Sequence, residues 1–371
     1  MRTRSLTLVV AAAVSALALA ACGSSSNGGG STSPTPTGAA SSSAAVTPKV
    51  GVILPDSASS ARWETADRKY LTDAFTAANI QFDIQNAGGD KAKFATICDS
   101  LIAGGVNVLM IVNLDSDTGS ACEKKASAQG IKTIDYDRLT LGGGAAVYVS
   151  FDNVAVGKAE GDGLVQCLKA QGVTSGTVDL LNGSPTDNNA TLFKQGYQAA
   201  ITGAGFTIGE DQAVPDWDNT KAGTIFEQMF AKNPKIVGVD AANDGLGGAA
   251  IAVLAKNGLA GKVPVTGQDA TDEGLTRVLE GTQCVTVYKA IKKEADAASA
   301  AAIALANGQA PATNGTVKDS TSGMDVPSVL LTPQPIFKDN VKDVIADGFT
   351  TAAKICTTDA AKAECTKQGI S

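Results

Sequence analysis

The chain has 371 residues, of which 44% are hydrophobic and 18% charged, with a formal net charge of −7 and no histidine. A chain of this length can bury two hydrophobic cores of ordinary size, so we expect two domains. Acidic and basic residues are interspersed, and because phosphate binding needs a basic face, the composition argues against a nucleic-acid partner.

The first 47 residues have the pattern of an export signal followed by a tether. Arg2 and Arg4 precede an apolar stretch, 6–19, that is too short to span a bilayer comfortably, and the small residues of "LAAC" end at Cys22. This ending resembles a bacterial lipobox, in which the signal is cleaved before a lipid-carrying cysteine. An ordinary signal peptide with a coincidental cysteine is the alternative. Residues 23–47 contain no charge and no aromatic residue, which predicts a flexible Gly/Ser/Thr/Pro tether.

The other six cysteines predict disulfide bonds. An even number in an exported chain favours disulfides over metal ligation, and without histidine or a CxxC pair we expect no metal site and no cofactor. Sequence alone allows many pairings, and buried free thiols are an alternative. We expect Cys356 to pair with Cys365 because they are close in sequence, and Cys98 with Cys122 because they lie on neighbouring predicted helices. Cys167 and Cys284 are the pair that remains.

From residue 48 onward, predicted strands alternate with helices. The strands of the first half are "KVGVILP", "IQFDIQNA", "VNVLMIVN" and "IKTIDYD", and apolar residues recur at helical spacing between them. Strands that are continuously rich in valine, isoleucine and leucine, and that alternate with helices, belong to a parallel sheet covered on both faces. The pattern therefore predicts one α/β lobe.

A second alternating run begins at "VYVSFDN". Its strands include "GTVDLLNG", "KIVGVDAA", "VPVTGQD" and "CVTVYKA". Its predicted helices cover 154–172, 188–203, 219–232, 245–257 and 272–280. The fold class is therefore α/β, with two Rossmann-like lobes built on parallel sheets. The pattern alone does not assign the Ala-rich helix at about 290–307, or the tail after Val326, to either lobe.

Polar residues follow nearly every predicted strand. In an open parallel sheet the ligand site lies beyond the carboxyl ends of the strands. The segments there include "SASSARW", "DYDR", "GSPTDNN", "DWDN", "AANDG", "GQDA" and "YK", and they contain both tryptophans of the chain. Amides, carboxylates and arginine match hydroxyl groups, which both donate and accept, while an indole packs on the C–H face of a sugar ring. These residues predict a pyranose site.

Several strings resemble a known family. "SSARW", "YDRL", "SFDNVAVG", "NGSPTDNNA", "ANDG", "GQDA", "TVYK" and "VPSVLLTP" are similar, in the same order, to those of the D-xylose-binding and multiple-sugar-binding proteins of ABC importers, which are cluster B, type I solute-binding proteins. The resemblance covers roughly residues 48–350. It implies a periplasmic binding protein-like type I fold with a three-segment hinge. The implied N-terminal lobe is 48–150 plus 290–324, and the C-terminal lobe is 151–289 plus 325–371.

The resemblance also implies a set of twelve ligand-binding residues. They are Arg62, Trp63, Asp137, Arg138, Asn188, Asn189, Trp217, Asn243, Asp244, Gln268, Asp269 and Lys289. In this set the two tryptophans stack on the sugar, and Asp137 with Arg138 binds ring hydroxyls as a fork. No residue is expected to be catalytic.

The residue pattern leaves structural alternatives open for several of these positions. Trp63 lies on the apolar stripe of its helix, so it can belong to the core. Asn243 and Asp244 can cap the helix that follows them. Capping is also the role expected of Asp187, which precedes Asn188. Asp269 can orient another side chain rather than contact sugar. Lys289 can pair with a carboxylate of the cleft without touching the ligand.

The combined expectation is an extracytoplasmic, lipid-anchored receptor that captures a monosaccharide between two lobes. Its expected partners are an ABC permease and its ATPase, and we expect a monomer. D-xylose is the first expected ligand, with glucose, arabinose or galactose as alternatives, because epimers differ by one hydrogen-bond partner. A sugar sensor for a membrane signalling protein is the second hypothesis. The third is a glycosidase that uses Asp137 and Asp244 as paired acids.

Overall fold

The computed structural model describes residues 48–370, which form an α/β protein built on two central sheets. The first sheet has seven strands, which are β1 (Lys49–Leu54), β2 (Gln81–Asn86), β3 (Val108–Ile111), β4 (Lys132–Tyr136), β5 (Val147–Phe151), β10 (Gly315–Lys318) and β11 (Asp325–Leu331). Their order in the sheet is β10-β11-β5-β4-β3-β1-β2. All pairs are parallel except the β10–β11 hairpin. We call this sheet and its helices lobe 1.

Lobe 1 has a core on each face of its sheet because its central strands are apolar on both sides. Its helices are α1 (Arg68–Ala77), α2 (Lys91–Ala103), α3 (Ser116–Ala128) and α9 (Ile291–Ala306), and a π-helical turn, Trp63–Asp67, precedes α1. One core contains Leu71 and Phe75 with the alanines of α9, and the other contains Phe94 and Leu101. The Ala-rich helix that the sequence pattern left unassigned therefore belongs to lobe 1.

The second sheet begins with three parallel strands in the order β7-β6-β8. They are β6 (Thr177–Asn182), β7 (Thr207–Ala213) and β8 (Gly238–Ala241), and the sequence continues to β9 (Thr286–Tyr288) and β12 (Gln334–Ile336). The segment predicted as the strand "VPVTGQD" makes only single bridges, from Val265 to β8 and from Gln268 to β9. Strands β9 and β12 pair in antiparallel orientation. We call this sheet and its helices lobe 2.

The main helices of lobe 2 lie close to their predicted positions. They are α4 (Asn153–Ala170), α5 (Asn188–Gly203), α6 (Asn219–Lys232), α7 (Asp244–Lys256) and α8 (Asp272–Glu280), followed near the C-terminus by α10 (Lys342–Ala346), α11 (Ala352–Ile355) and α12 (Asp359–Gln368). Helices α4 and α5 pack backbone to backbone at Gly157. A Cβ atom there would lie 1.9 Å from the carbonyl oxygen of Phe193, so only glycine permits this approach.

One expected lobe boundary is wrong. The resemblance assigned residues from 325 onward to the second lobe, but β11 pairs with β5 from Ser328 opposite Tyr148 to Leu331 opposite Phe151. The chain therefore leaves lobe 1 after Leu331. The physical reason is the β10–β11 hairpin, in which β11 supplies hydrogen-bond partners to β5, a strand that would otherwise be a sheet edge.

The three expected disulfide bonds are present, with Cα–Cα distances of 5.9, 6.4 and 6.2 Å for Cys98–Cys122, Cys167–Cys284 and Cys356–Cys365, respectively. The first joins α2 to α3, and the second joins α4 to the segment before β9. Within residues 48–370, none of the helices combines the length and apolar character needed to cross a bilayer.

Removing the Cys167–Cys284 bond, by changing both residues to alanine, should destabilise the protein more than the same change at Cys356–Cys365. The bonded residues are 117 positions apart in the first pair and 9 in the second. The loss of loop-closure entropy predicts decreases of about 5 and about 2.5 kcal/mol in the free energy of unfolding. Urea denaturation of the three proteins measures both values. Equal losses would contradict loop length as the determining factor.

Candidate functional site

A cavity with about 350 Å³ of free space lies between the lobes, at the carboxyl ends of their strands. We call it the central cavity. Ten of the twelve predicted residues line it, and they are Arg62, Trp63, Asp137, Arg138, Asn189, Trp217, Asn243, Gln268, Asp269 and Lys289. Both lobes contribute, together with the hinge segment after β9. The structure therefore brings together side chains that are separated by more than 200 positions in sequence.

The other two predicted residues do not line the central cavity. Asn188 is the half-buried first residue of α5. The carboxylate of Asp244 is buried and accepts hydrogen bonds from the Thr271 amide at 2.8 Å and from Gln283 Nε2 at 2.6 Å. Burial raises the pKa of Asp244 to about 6, although Arg277 and the bond from Gln283 lower it. Asp244 therefore holds the loop before α8 in place, which corrects its expected role.

Four residues that were not among the twelve also line the cavity: Ser59, Ser60, Asp187 and Phe193. Asp187 caps α5, as expected, by accepting from the Asn189 amide at 2.9 Å. Its other oxygen accepts from Trp217 Nε1 at 3.1 Å and pairs with Arg138 Nε at 3.0 Å. Phe193 follows Asn189 by four positions on α5. That helical spacing was the available sequence signal for Phe193, because residues four apart share a helix face.

Trp63 is both a core residue and part of the cavity wall. It is 2% exposed and belongs to the apolar core that contains Leu71 and Phe75, and it also lines the central cavity. The guanidinium carbons of Arg62 and Arg138 lie 4.3 and 5.6 Å from its ring centroid. These cation–π contacts fix the orientation of the indole.

Arg62 is bound on all sides by carboxylates of lobe 1. It donates to Asp67 at 2.8 and 2.9 Å, to Asp137 at 2.7 Å and to Glu294 at 2.6 Å. Burial disfavours its charge, but the attraction of Asp67, Glu294 and Asp137 is stronger, so the pKa of Arg62 is raised and the residue stays charged. Its hydrogen-bonding capacity is largely taken up by protein groups. Arg62 therefore serves mainly to position Asp137.

Several polar contacts join the lobes directly across the cavity. Arg138 of lobe 1 pairs with Asp187 of lobe 2. The side-chain nitrogen of Asn189, Nδ2, donates to the Asp137 carbonyl oxygen at 2.9 Å and to the Asp137 carboxylate at 3.2 Å. The oxygen of Asn189 accepts from Asn153 Nδ2 at 2.9 Å. Asn189 is thus occupied by protein partners and acts as a link between the lobes.

A smaller group of cavity residues keeps unused hydrogen-bonding capacity. Gln268 Nε2 donates to the Ala242 carbonyl oxygen at 2.7 Å, but Gln268 Oε1 is buried without a partner among the described residues. Asn243 Oδ1 accepts from the Leu246 amide at 2.8 Å as the cap of α7, which leaves its side-chain nitrogen available, and the residue lines the cavity. Asn243 therefore caps a helix and lines the cavity at once.

Lys289 and Asp269 pair with each other at 2.9 Å, and both are nearly buried. Burial lowers the pKa of Lys289, but Asp269 and Asp137 raise it by more, so the ammonium stays charged. Lys289 lies in the segment between β9 and α9, where the chain passes from lobe 2 to lobe 1. The pair therefore provides a fixed charge at the hinge side of the cavity.

Backbone strain is concentrated around this cavity. Among the described residues, six that are not glycine have positive φ, and five of them belong to the site or adjoin it. These five are Asp137 (63°), Asp216 (60°), Trp217 (57°), Asp269 (92°) and Ala270 (49°). Such conformations cost free energy and persist where the surrounding structure imposes them, typically at ligand sites.

A family model described as a periplasmic binding protein domain matches residues 50–310. The chain belongs to this family. It is 37% identical to the D-xylose-binding periplasmic protein of Escherichia coli K12, over 81% of this chain and 90% of that protein. It is 30% identical to a multiple sugar-binding periplasmic protein of Azospirillum brasilense, over 83% of this chain and 91% of that protein.

The solved structures similar to this periplasmic binding protein have the same fold. A solute-binding protein of a carbohydrate transporter from Chloroflexus aurantiacus, crystallised with D-glucose, superposes with a TM-score of 0.73 at 27% identity. The match covers 83% of this chain and 98% of that one. The myo-inositol-binding protein of Caulobacter has a TM-score of 0.70 at 22% identity, over 81% and 97% of the two chains. The family and the fold expected from the sequence are therefore confirmed.

A buried polar network supports Arg138 from within lobe 1 of this periplasmic binding protein. Arg138 Nη1 donates to the Asn113 carbonyl oxygen at 3.1 Å, and Asn113 Nδ2 donates to Thr140 Oγ1 at 2.9 Å. Thr140 in turn donates to Asp135 from its hydroxyl at 2.6 Å and its amide at 2.8 Å. Burial, followed by the charge of Asp135, raises the pKa of the adjacent Glu123 to about 11. The Glu123–Asp135 pair therefore retains a proton at neutral pH.

Glu123→Gln should stabilise the protein progressively between about pH 5 and about pH 9. The pKa of Glu123 is about 11 in the folded state, against an ordinary value of 4.5. The folded state thus binds more protons than the unfolded state, and the free energy of unfolding of the wild type falls as pH rises. Glutamine is neutral at every pH and so lacks this loss of stability, and we expect a gain of at least about 1 kcal/mol near pH 8.

Urea denaturation at several pH values measures this effect. The matched control is Glu227→Gln, at an exposed glutamate that pairs with Lys256 on the surface. The control should show no gain that grows with pH. The same pH slope in both variants would contradict the buried-proton explanation.

Proposed function

We propose that this protein is the extracytoplasmic substrate-binding lipoprotein of an ABC sugar importer, and that it captures a monosaccharide, D-xylose in first place. Glucose, arabinose and galactose are the alternatives. The observation that carries the proposal is the convergence of side chains from both lobes, including both indoles of the chain, on the central cavity. The expected binding partner in the membrane is the permease with its ATPase, and the protein acts as a monomer.

The chemistry of the free groups supports a polyhydroxylated ligand. The cavity offers a buried acceptor at Gln268 Oε1 and an amide donor at Asn243. A buried polar atom without a partner costs about 1–3 kcal/mol, and a ligand hydroxyl removes that cost by donating to it. A hydroxyl can also accept from the Asn243 amide. The indoles of Trp63 and Trp217 supply apolar faces for the C–H side of the ring.

The relatives support the order of candidate sugars. The relative named for D-xylose binding is 37% identical, whereas the multiple sugar-binding relative is 30% identical. The similar structure crystallised with D-glucose keeps glucose as an alternative. Because hydroxyl epimers differ by one hydrogen bond, a binding screen must decide among them.

Capture requires that the ligand favour the closed arrangement of the lobes. In that arrangement Arg138 reaches Asp187 and Asn189 reaches Asp137. A ligand that contacts groups of both lobes binds the closed state more tightly and shifts the hinge equilibrium toward it. Closure then sets the outer surfaces of the lobes in the register that the permease recognises.

The geometry disfavours the glycosidase hypothesis. That hypothesis paired Asp137 with Asp244, yet Asp244 is directed to Thr271 and Gln283 instead of the cavity. Among the described residues that line the cavity, the other carboxylates, Asp187 and Asp269, are paired with Arg138 and Lys289. Pairs of this kind hold carboxylates in fixed positions, which suits binding better than proton transfer.

Membrane attachment depends on Cys22, which lies outside the described residues. We expect Cys22→Ala to release the protein from the membrane fraction, because one lipid-modified residue is the proposed anchor. Metabolic labelling with a radioactive fatty acid, followed by fractionation, measures this. Labelling of the wild type but not of the variant supports the lipoprotein assignment, and unlabelled wild type would overturn it.

A thermal-shift screen of pentoses and hexoses tests the ligand, since a compound that binds only the folded state raises the melting temperature. We expect the largest shift with D-xylose. Gln268→Met should weaken binding of that sugar at least tenfold, because it removes the free acceptor. The stability of the sugar-free protein should change by less than about 1.5 kcal/mol, because the side chain keeps its volume.

A matched variant separates cavity contacts from helix capping at the neighbouring position. Asn243→Ser keeps an oxygen that caps α7 but removes the amide that faces the cavity. It should weaken sugar binding with little change in stability. A wild-type protein that shifts with none of the sugars would overturn the proposed function.

A further inference from the structure

A second and larger cavity adjoins the central one. It has about 1030 Å³ of free space, and four residues line both cavities: Ser59, Arg138, Asp187 and Trp217. The two spaces therefore meet along the indole of Trp217 and the Arg138–Asp187 ion pair. A sugar substituent that passes this boundary enters the second cavity.

The walls of the second cavity carry the groups that recognise sugars. Lobe 1 contributes Lys91, and lobe 2 contributes Ser184, Thr186, Asn219 and Thr220. These side chains supply three hydroxyls and an amide, which can donate to or accept from ring hydroxyls, and an ammonium that is already paired with Asp115. Thr186, Asn219 and Thr220 are exposed, so their polar groups are accessible to a bound molecule. Because both lobes contribute, a molecule held here also bridges the cleft.

Trp217 is held rigidly at the boundary between the two cavities. Its ring packs on Gly183, where a Cβ atom would lie 2.0 Å from the indole Cη2, so the contact requires glycine. Its Nε1 donates to Asp187 at 3.1 Å, and Phe193 meets it in an edge-on arrangement at 6.4 Å between centroids. Positive φ at both Asp216 and Trp217 sets this position at the cost of backbone strain. A fixed indole at this boundary can contact two linked rings.

A third cavity, on the other side of the segment at 57–61, is less suited to a sugar. It has about 800 Å³ of free space and shares Ser59, Ser60, Asn243 and Asp269 with the central cavity, but no aromatic residue lines it. Its Arg277 is engaged with the Asp244 carbonyl oxygen at 2.6 Å. The second cavity is therefore the better extension of the site.

We propose that the second cavity is a subsite for a second sugar ring, so that the protein binds short disaccharides and glycosides as well as the free monosaccharide. This inference rests on the proposed function, because the first ring occupies the central cavity. The second ring lies beyond Trp217, between Lys91 of lobe 1 and Thr186 of lobe 2.

Isothermal titration of the purified protein with D-xylose, methyl β-D-xyloside and xylobiose tests the subsite, with glucose and cellobiose as the matched hexose pair. We expect the disaccharide to bind with an affinity within tenfold of that of its monosaccharide, or more tightly. Thr186→Trp fills the second cavity from an exposed position and should weaken disaccharide binding at least tenfold. Binding of the monosaccharide should change by less than about threefold.

Thr224→Trp is the control, because Thr224 is an exposed residue of α6 that does not line the cavity. It should leave both affinities unchanged, and melting curves of both variants establish that they fold. Binding of monosaccharides without any binding of disaccharides or glycosides would overturn the subsite and leave the proposed function standing. Equal weakening of both ligands by Thr186→Trp would also overturn it. The absence of binding by every sugar would overturn the proposed function itself.

Discussion

The site depends on the fixed, ionised carboxylate of Asp137, at which both lobes and the hinge segment meet. It accepts from Arg62 within lobe 1 and from Asn189 of lobe 2, and its own residue adopts positive φ. Burial raises its pKa, but the charges of Arg62, Lys289 and Arg138 lower it by more, so the net shift is downward. Because a buried charge is tolerated only with such partners, loss of any one of them disturbs the positions of the others.

The surrounding charges explain why Glu294 behaves differently from Asp137. Both carboxylates contact Arg62, yet burial, assisted by the negative charges of Asp137 and Asp67, raises the pKa of Glu294 well above its ordinary value despite the opposing effect of Arg62. One arginine cannot neutralise three buried carboxylates, so Glu294 retains its proton more readily than Asp137, whose pKa Lys289 and Arg138 also lower. The polar interior of lobe 1 thus limits its own net charge, while the carboxylate that faces the cavity stays ionised.

Local signals predicted the α/β alternation and the polar edge of the sheets, whereas the named cavity residues came from the family resemblance and the Cys167–Cys284 pair, 117 positions apart, from elimination. Strand–helix alternation predicts parallel sheets, and polar residues after strands predict the edge that carries the site. The errors concern information that is not local. Adjacent residues at a helix N-terminus point in different directions, so "ND" could not reveal that Asn243 faces the cavity while Asp244 holds Thr271. The pairing of β11 with β5 joins segments about 180 positions apart. A single sequence carries no local signal for such a pairing.

The choice between a structural and a ligand-binding role, which seemed exclusive in the sequence, is not exclusive in the structure. Asp187 and Asn243 each use one atom to cap a helix and another to shape the cavity. This dual use of one side chain has a physical cause. A capping side chain is already fixed by its backbone contact, so little further conformational entropy is lost when it also contacts a ligand. Groups that the protein already satisfies, such as Arg62 and Asn189, therefore define the shape of the site. Under the proposed function, discrimination between sugars falls to the groups with spare capacity, above all Gln268 Oε1, which has no partner among the described residues, because a missing or inverted hydroxyl leaves that buried acceptor unsatisfied.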